Sequence, residues 1–233
     1  MSHIAENLAG IHRSIAAACE RAGRSVDEVK LIAVSKTFPA EAIAEAAAAG
    51  QVLFGESKLQ EAEPKVMALP DFLEWHFIGR VQRNKVRKIL QISRVIHAID
   101  SLKLAAYVDQ VAKELGKRPL LFLQVNASGE VSKGGFSPEK LRAEFSSIST
   151  LENIEVIGLM TIPPDDDGRT RQWFSQLREL RDELVKKTGA NLPALSMGMS
   201  GDFEIAIEEG ATHVRVGSAI FGKRAYRVDG ELG

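Results

Sequence analysis

Short apolar runs alternate with longer amphipathic stretches along most of this chain. The first run, Leu31–Ser35, is apolar at successive positions, as expected of a strand that is buried on both faces of a parallel sheet. Seven more runs of this kind follow it. The eight predicted strands are Leu31–Ser35, Val52–Gly55, Trp75–Gly79, Val95–Ile99, Leu120–Asn126, Val156–Thr161, Ala194–Met197 and Val214–Gly217.

The stretches around these strands have helical periodicity. Near the N-terminus, Ile4, Leu8, Ile11 and Ile15 recur every three or four residues, which predicts an amphipathic opening helix over residues 4–22 that Gly23 ends. The helices predicted after it are Ala40–Ala49, Ser57–Leu69, Asn84–Ile92, Leu102–Leu115, Pro138–Ser149, Thr170–Lys187 and Asp202–Glu209.

Eight strands with helices between them predict an α/β fold, a (β/α)8 TIM barrel, and the length of 233 residues agrees. The alternative is an open doubly wound sheet. However, the first predicted strand is not followed by the G-x-G-x-x-G motif that is typical of a dinucleotide-binding sheet. We therefore expect one barrel domain over residues 1–233, with an extra N-terminal helix, residues 1–23, packed against it.

Composition excludes several classes of protein. The 30 Lys and Arg residues balance 31 Asp and Glu residues, which is unlike the basic excess of a nucleic-acid-binding protein. The single cysteine, Cys19, cannot form an internal disulfide, and no Cys/His cluster has zinc-binding spacing. The run Asp165–Asp167 follows two prolines and predicts a solvated loop rather than a metal site. Without a signal peptide or a membrane-spanning run, the chain is predicted to be cytoplasmic, with no membrane partner.

Lys36 follows the first predicted strand directly. In a barrel the C-terminal ends of the strands form the active face, so Lys36 is predicted to lie there. A partly desolvated lysine loses its proton more readily and attacks carbonyl groups, which suggests a Schiff-base lysine. A solvated lysine at a strand end is the alternative, and spacing alone favours it.

The loops after strands seven and eight are the usual phosphate site of a barrel. Ser200 follows strand seven just before a predicted helix, where its hydroxyl and the backbone N–H groups suit a phosphate. Gly217 and Ser218 follow strand eight, with room for close backbone approach and a second hydroxyl. Taken singly, Ser200 could be an ordinary helix cap and Gly217 an ordinary turn; together, in these two loops, they favour a phosphate site.

Arg215 lies inside the apolar eighth strand, two residues before Gly217. Because an unpaired buried charge is costly, Arg215 needs a partner. That partner is either a carboxylate in the barrel mouth or a ring nitrogen or anionic group of a ligand. A carbonyl-reactive lysine, a phosphate site and a buried arginine together describe a site for pyridoxal 5′-phosphate.

Several motifs along the chain carry a resemblance to a known family. In order they are Ala33–Lys36, Phe54–Glu56, Trp75–Gly79 with Gln82 and Asn84-Lys85, Gln124–Asn126, Gly158–Ile162, Leu195–Ser200, Val214–Gly217 and Ile220–Gly222. The chain resembles the pyridoxal phosphate homeostasis protein family, which is similar to the barrel domain of bacterial alanine racemases. The resemblance spans about residues 31–224.

The resemblance implies roles for individual residues. Lys36 would be the lysine that forms an aldimine with the cofactor, and Arg215 the partner of its pyridine nitrogen. Ser57 stands where the family usually has asparagine, so its contact beside the cofactor loses the second polar atom of an amide. The contacts implied for the phosphate are Ser200, Gly217 and Ser218, and Met199 is expected either to pack on the ring or to fill the core.

The resemblance also implies a non-catalytic role: reversible binding of pyridoxal 5′-phosphate and its supply to PLP-dependent apoenzymes. We expect the protein to be a monomer. The alternative is a weak amino-acid racemase, which needs a second base opposite Lys36. In the racemases that base is a tyrosine from a second domain, which we do not expect here, and neither Tyr107 nor Tyr226 is well placed for the role.

Two further alternatives remain open from the sequence. One is a class I aldolase acting on a phosphorylated sugar. The other is RNA binding through the basic segment 80–88, for which a solvated helix face is the favoured interpretation. His76 is predicted to be a hydrogen-bonded histidine of the barrel mouth, with an acid/base role as the alternative.

Overall fold

The computed structural model describes residues 2–130, 134–164 and 168–222. Within them, eight parallel strands close into a barrel: each strand pairs with the next along the chain, and the eighth pairs with the first. The predicted TIM barrel is therefore confirmed. The strands are β1 (Lys30–Val34), β2 (Leu53–Glu56), β3 (Glu74–Phe77), β4 (Val95–Ile99), β5 (Leu120–Gln124), β6 (Glu155–Met160), β7 (Ala194–Ser196) and β8 (His213–Val216).

Helices surround this barrel. The predicted helices are all present, and a short one that the sequence did not predict follows β8. In the described part of the chain they are α1 (His3–Arg21), α2 (Ala40–Ala48), α3 (Leu59–Ala68), α4 (Val86–Ile92), α5 (Leu102–Leu115), α6 (Pro138–Ser149), α7 (Thr170–Thr188), α8 (Phe203–Glu208) and α9 (Ser218–Phe221).

Helix α1 is the extra element that precedes the barrel. Its apolar stripe is buried, with Leu8 and Ile15 each only 2% exposed. At its C-terminal end, Arg21 forms ion pairs with Glu204 and Glu208 of α8, at 2.7 Å and 2.8 Å. The apolar stripe of α1 thus packs against the last part of the barrel.

Some predicted boundaries were wrong. Helix α3 begins at Leu59, so Ser57 lies in the turn that joins β2 to α3 rather than in the helix. Residues Arg83–Lys85 form a separate 3-10 turn before α4, so Asn84 is outside that helix. Glu56 is the last residue of β2, one position beyond the predicted strand. Asp165–Asp167 and Tyr226 lie outside the described residues.

The basic segment 80–88 is engaged with its own surroundings. Arg83 lies over the ring of Tyr107, 4.3 Å from its centroid. Arg87 pairs with Glu114, and Lys88 pairs with Glu63 at 3.5 Å. These contacts fit the interpretation of a solvated helix face. In the described residues, no helix has the length and apolar character to cross a membrane.

Candidate functional site

Lys36 lies at the C-terminal end of the barrel, in the turn after β1. Strand pairing continues one residue past β1, because the Ser35 N–H donates to the Gly55 carbonyl at 3.1 Å. The chain then leaves the sheet, and Lys36 is half-buried. Its position is the one that the sequence predicted.

The residue after Lys36 has an unusual backbone. Thr37 has a φ of 72°, which is rare for a β-branched residue. Its N–H donates to Glu61 Oε2 at 2.9 Å. A side chain of α3 thus holds the turn in this conformation.

A buried polar cluster lies beside the same turn. Glu56 Oε1 accepts from the Ser35 hydroxyl at 2.7 Å and from Lys65 Nζ at 2.6 Å. Lys65 Nζ also donates to the Ser35 carbonyl at 2.9 Å. Glu56 and Lys65 are only 2% and 8% exposed, and burial raises the pKa of the Glu56 carboxyl against the opposing effect of Lys65.

Sequence reasoning missed this cluster. Glu56 ends an apolar strand and Lys65 follows Glu61 by four residues, which are the signals that could have pointed to it. Each signal is weak, because a lysine in a helix is usually solvated. Only the packing of α3 on β1 and β2 shows that Lys65 is buried.

The loops after β7 and β8 meet through Ser200. The Gly217 N–H donates to Ser200 Oγ at 3.2 Å. Asp202, not Ser200, immediately precedes α8, and its carboxylate accepts from the Met199 N–H at 2.5 Å. The alternative in which Ser200 caps a helix is therefore wrong, and its hydroxyl joins the two loops predicted to hold phosphate.

Gly217 brings this pair of loops against β1. A Cβ atom at Gly217 would lie 3.2 Å from the Val34 carbonyl oxygen, tighter than most such contacts. Two residues after Lys36, the Phe38 ring packs on Phe221 of α9 with centroids 5.0 Å apart. The turn that carries Lys36 and the segment that carries Gly217 and Ser218 are therefore neighbours.

Arg215 is buried inside the barrel, only 4% exposed. Its Nη1 donates to Ser196 Oγ at 2.6 Å and its Nη2 donates to the Thr161 carbonyl at 2.9 Å. Burial lowers its pKa to about 10, against the opposing effect of Asp202. Among the described residues no carboxylate forms an ion pair with it, so the alternative of a salt bridge in the barrel mouth is not observed.

A chain of hydrogen bonds continues from Arg215 through the barrel interior. Ser196 Oγ lies 2.8 Å from His97 Nδ1, and His97 Nε2 lies 2.9 Å from His76 Nδ1. Burial lowers the pKa of His76 to about 3, so its imidazole is neutral at pH 7. His76 is hydrogen-bonded as predicted, but it is not in the barrel mouth.

His76 instead faces a cavity at the opposite, N-terminal end of the barrel. The cavity has a volume of about 860 Å³, and residues that begin the strands line it, among them Lys30, Glu74 and His213. It is separate from Lys36, which follows the end of its strand. The described residues contain no cluster of His, Cys, Asp or Glu that could hold a metal ion.

Ser57 and Met199 complete the predicted set. Both are half-buried and follow β2 and β7 respectively, at the same end of the barrel as Lys36. Gly79, after β3, allows the Ser57 carbonyl to approach closely, since a Cβ there would lie 2.0 Å from that oxygen. Their contacts with a ligand stay predictions.

Known proteins resemble this chain over most of its length. A family model described as alanine racemase, N-terminal domain, matches residues 7–225. A pyridoxal phosphate homeostasis protein of Aquifex aeolicus is 46% identical over 227 residues, which cover 95% of this chain and 98% of that protein. This chain belongs to the pyridoxal phosphate homeostasis protein family. A family member from Pseudomonas aeruginosa is 47% identical over 97% of this chain and 98% of its own length.

Solved structures agree with this membership. PipY of Synechococcus elongatus, whose structure was determined with PLP bound, has a TM-score of 0.83 at 41% identity and covers 94% of this chain and 100% of its own. Alanine racemase of Clostridium difficile, at 16% identity and a TM-score of 0.70, shares the fold; the match covers 94% of this chain and 60% of the racemase chain. The family resemblance predicted from the motifs is confirmed.

Proposed function

We propose that this chain binds pyridoxal 5′-phosphate (PLP) as a Schiff base on Lys36 and serves PLP homeostasis without catalysing a reaction of its own. In the covalent step, the neutral Lys36 amine bonds to the aldehyde carbon, and the aldehyde oxygen leaves as water with both amine protons. The observation that carries the proposal is the packing of the segment after β8 on both sides of Lys36, with Gly217 against Val34 and Phe221 against Phe38. The buried Arg215, whose partners are neutral, lies on the same strand.

The residues of the site fit the parts of PLP. The Ser200 and Ser218 hydroxyls and the backbone around Gly217 suit the phosphate, where a Cβ at Gly217 would crowd Val34. Arg215 has a donor group suited to the pyridine nitrogen. Met199 and Ser57 would lie along the ring. The name of the relatives and the PLP-bound structure of PipY support the same ligand class.

The non-catalytic role rests on the electronics of the site. PLP supplies an electron sink for carbanions, and it does so best when its pyridine nitrogen is protonated. Arg215 cannot readily give up a proton, so a ring that faces it remains a weak sink. Tyr107, the tyrosine among the described residues, lies on α5 under Arg83. The name of the relatives supports a role in PLP homeostasis. Within that role, we propose that the protein acts as a monomer and delivers PLP to PLP-dependent apoenzymes.

The absorption spectrum of the purified protein incubated with PLP tests this proposal. We expect a Schiff-base band that borohydride removes, and we expect Lys36→Ala to lack it. Lys103→Ala, an exposed lysine on α5, is the matched control and should keep the band. A wild-type band that persists unchanged in Lys36→Ala would contradict the assignment. A class I aldolase would instead be colourless and trapped by borohydride only with its sugar substrate.

A further inference from the structure

The backbone just before Lys36 is held by side chains to which the proposed function gives no role. Ser35 is joined to Lys36 by a peptide bond, and its carbonyl accepts from Lys65 Nζ at 2.9 Å. The Ser35 hydroxyl donates to Glu56 Oε1 at 2.7 Å, and Lys65 donates to the same oxygen at 2.6 Å. Ser35 is therefore held at its main chain and at its side chain.

The backbone just after Lys36 is held as well. The Thr37 N–H donates to Glu61 Oε2 at 2.9 Å, while Glu61 Oε1 pairs with Lys58 at 3.0 Å. With a φ of 72°, Thr37 occupies a conformation that a threonine adopts only when its surroundings hold it there. Glu61 and Lys65 stand four residues apart on α3, so one face of this helix reaches both sides of Lys36.

The Glu56–Lys65 pair has features that stability alone does not explain. Replacing a buried ion pair with apolar residues is often neutral or stabilising, because desolvating both charges is costly. Here the second carboxylate oxygen, Glu56 Oε2, is buried without a hydrogen-bond partner among the described residues. The bonds that the pair does make lead to Ser35, next to the reactive lysine.

We propose that Glu56, Glu61 and Lys65 are positioning residues that fix the backbone on both sides of Lys36, so that its amine meets the aldehyde of PLP in one orientation. This inference rests on the proposed function. The groups proposed for the phosphate and the pyridine nitrogen come from β8 and from the loops after β7 and β8, whereas Ser57 is the proposed ring contact that lies next to α3. Loss of the positioning residues therefore slows the covalent step, which depends on orientation, and leaves the non-covalent affinity nearly unchanged.

Stopped-flow absorption separates these two quantities. Apo-protein is mixed with increasing PLP, and the rate of Schiff-base formation reaches a plateau, which measures the covalent step. The half-saturating concentration measures the non-covalent affinity. For Lys65→Met and Glu61→Met we expect a plateau rate lower by about tenfold or more, with little change in half-saturation. Lys65→Arg keeps the charge and the donors and should recover part of the rate.

A matched control lies on the same helix. Glu63 pairs with Lys88 on the surface at 3.5 Å, and Glu63→Met should leave both quantities at their wild-type values. The positioning role is overturned if Lys65→Met and Glu61→Met keep the wild-type plateau. It is equally overturned if plateau rate, affinity and thermal midpoint all fall together, since that describes a general loss of structure.

If Lys65→Met does not fold, Thr37→Gly provides a second test of the positioning role. Glycine adopts a positive φ without strain, so this variant should unfold at a temperature close to that of the wild type and still form the Schiff base more slowly. A wild-type rate in Thr37→Gly would count against the inference.

A measurement without PLP separates this inference from the proposed function. In apo-protein, hydrogen exchange of the Thr37 amide should be slow in the wild type and fast in Glu61→Met, which removes the oxygen acceptor. Equal exchange in both would show that Glu61 does not hold Thr37. A wild-type protein that forms no Schiff base overturns the proposed function instead, whatever the exchange shows.

Discussion

For Arg215, the sequence predicts burial and the structure identifies the hydrogen-bond partners. An arginine inside an apolar strand, two residues before a glycine, could be predicted to be buried and to need a partner. The partners themselves could not, because Ser196 and Thr161 belong to other parts of the chain and meet Arg215 only when the barrel closes. Both partners are neutral, so the charge remains available to a ligand.

The burial of Lys65 could not be predicted from its local sequence. A lysine within a helix is usually solvated, yet Lys65 is buried and forms an ion pair with Glu56. Its environment is set by how α3 packs on the ends of β1 and β2. Lys36, in contrast, could be predicted because its position at a strand end depends only on the local apolar run.

The buried histidines make stability depend on pH. Burial lowers the pKa of both His76 and His213 to about 3, while the unfolded chain titrates near 6.5. Between these values the unfolded chain binds protons that the folded protein does not. The free energy of unfolding is therefore highest above about pH 6.5 and falls as the pH drops towards 3.

Urea unfolding from pH 7 to pH 5 measures this effect. His213→Gln removes one titrating group and should reduce the slope by up to about 1.4 kcal/mol per pH unit. His12→Ala, at an exposed position on α1, is the control for replacing a histidine outside the core. A wild-type slope in His213→Gln would show that His213 does not carry the effect.

At the scale of elements, strands were predicted more reliably than the turns between them. Each barrel strand is buried on both faces, so its apolar run stands out against the polar connections. Helix α9 was missed because it has four residues, too few for a periodic pattern. The predicted start of α3, at Ser57, was two residues early, because local sequence does not distinguish the end of a turn from the first turn of a helix.

Helix α1 offers a test of packing at this scale. Ile15 is 2% exposed against the barrel, so Ile15→Ala should lower the free energy of unfolding by about 2–5 kcal/mol. The neighbouring exposed change Arg13→Ala should alter it by less than about 0.5 kcal/mol. Urea unfolding measures both. Equal effects would mean that the buried stripe of α1 contributes little to stability.

The two ends of the barrel differ in the residues and cavities that they contain. Lys36, Ser200 and Gly217 all follow the C-terminal ends of their strands, and so lie at the same end of the barrel. The N-terminal end holds the 860 Å³ cavity next to His76, which no motif indicated. Such a cavity depends on the sizes of side chains from many strands at once, and a linear pattern does not carry that information.

A carrier and a racemase differ in what they do to an amino acid. We expect the PLP-loaded protein to exchange the α-proton of L-alanine with deuterium from D2O no faster than free PLP does, because the ring facing Arg215 is a weak electron sink. Proton NMR of the alanine measures the exchange, with Lys36→Ala as the control. Rapid exchange in the wild type that Lys36→Ala abolishes would establish a racemase-like activity instead.

The central claim is that Lys36 holds PLP covalently, and peptide mapping after borohydride reduction tests it most directly. The protein is incubated with PLP, reduced, digested and analysed by mass spectrometry. We expect one major phosphopyridoxyl adduct, on Lys36, and its loss in Lys36→Ala. A major adduct on another lysine, or one that survives in Lys36→Ala, would show that Lys36 is not the site of attachment.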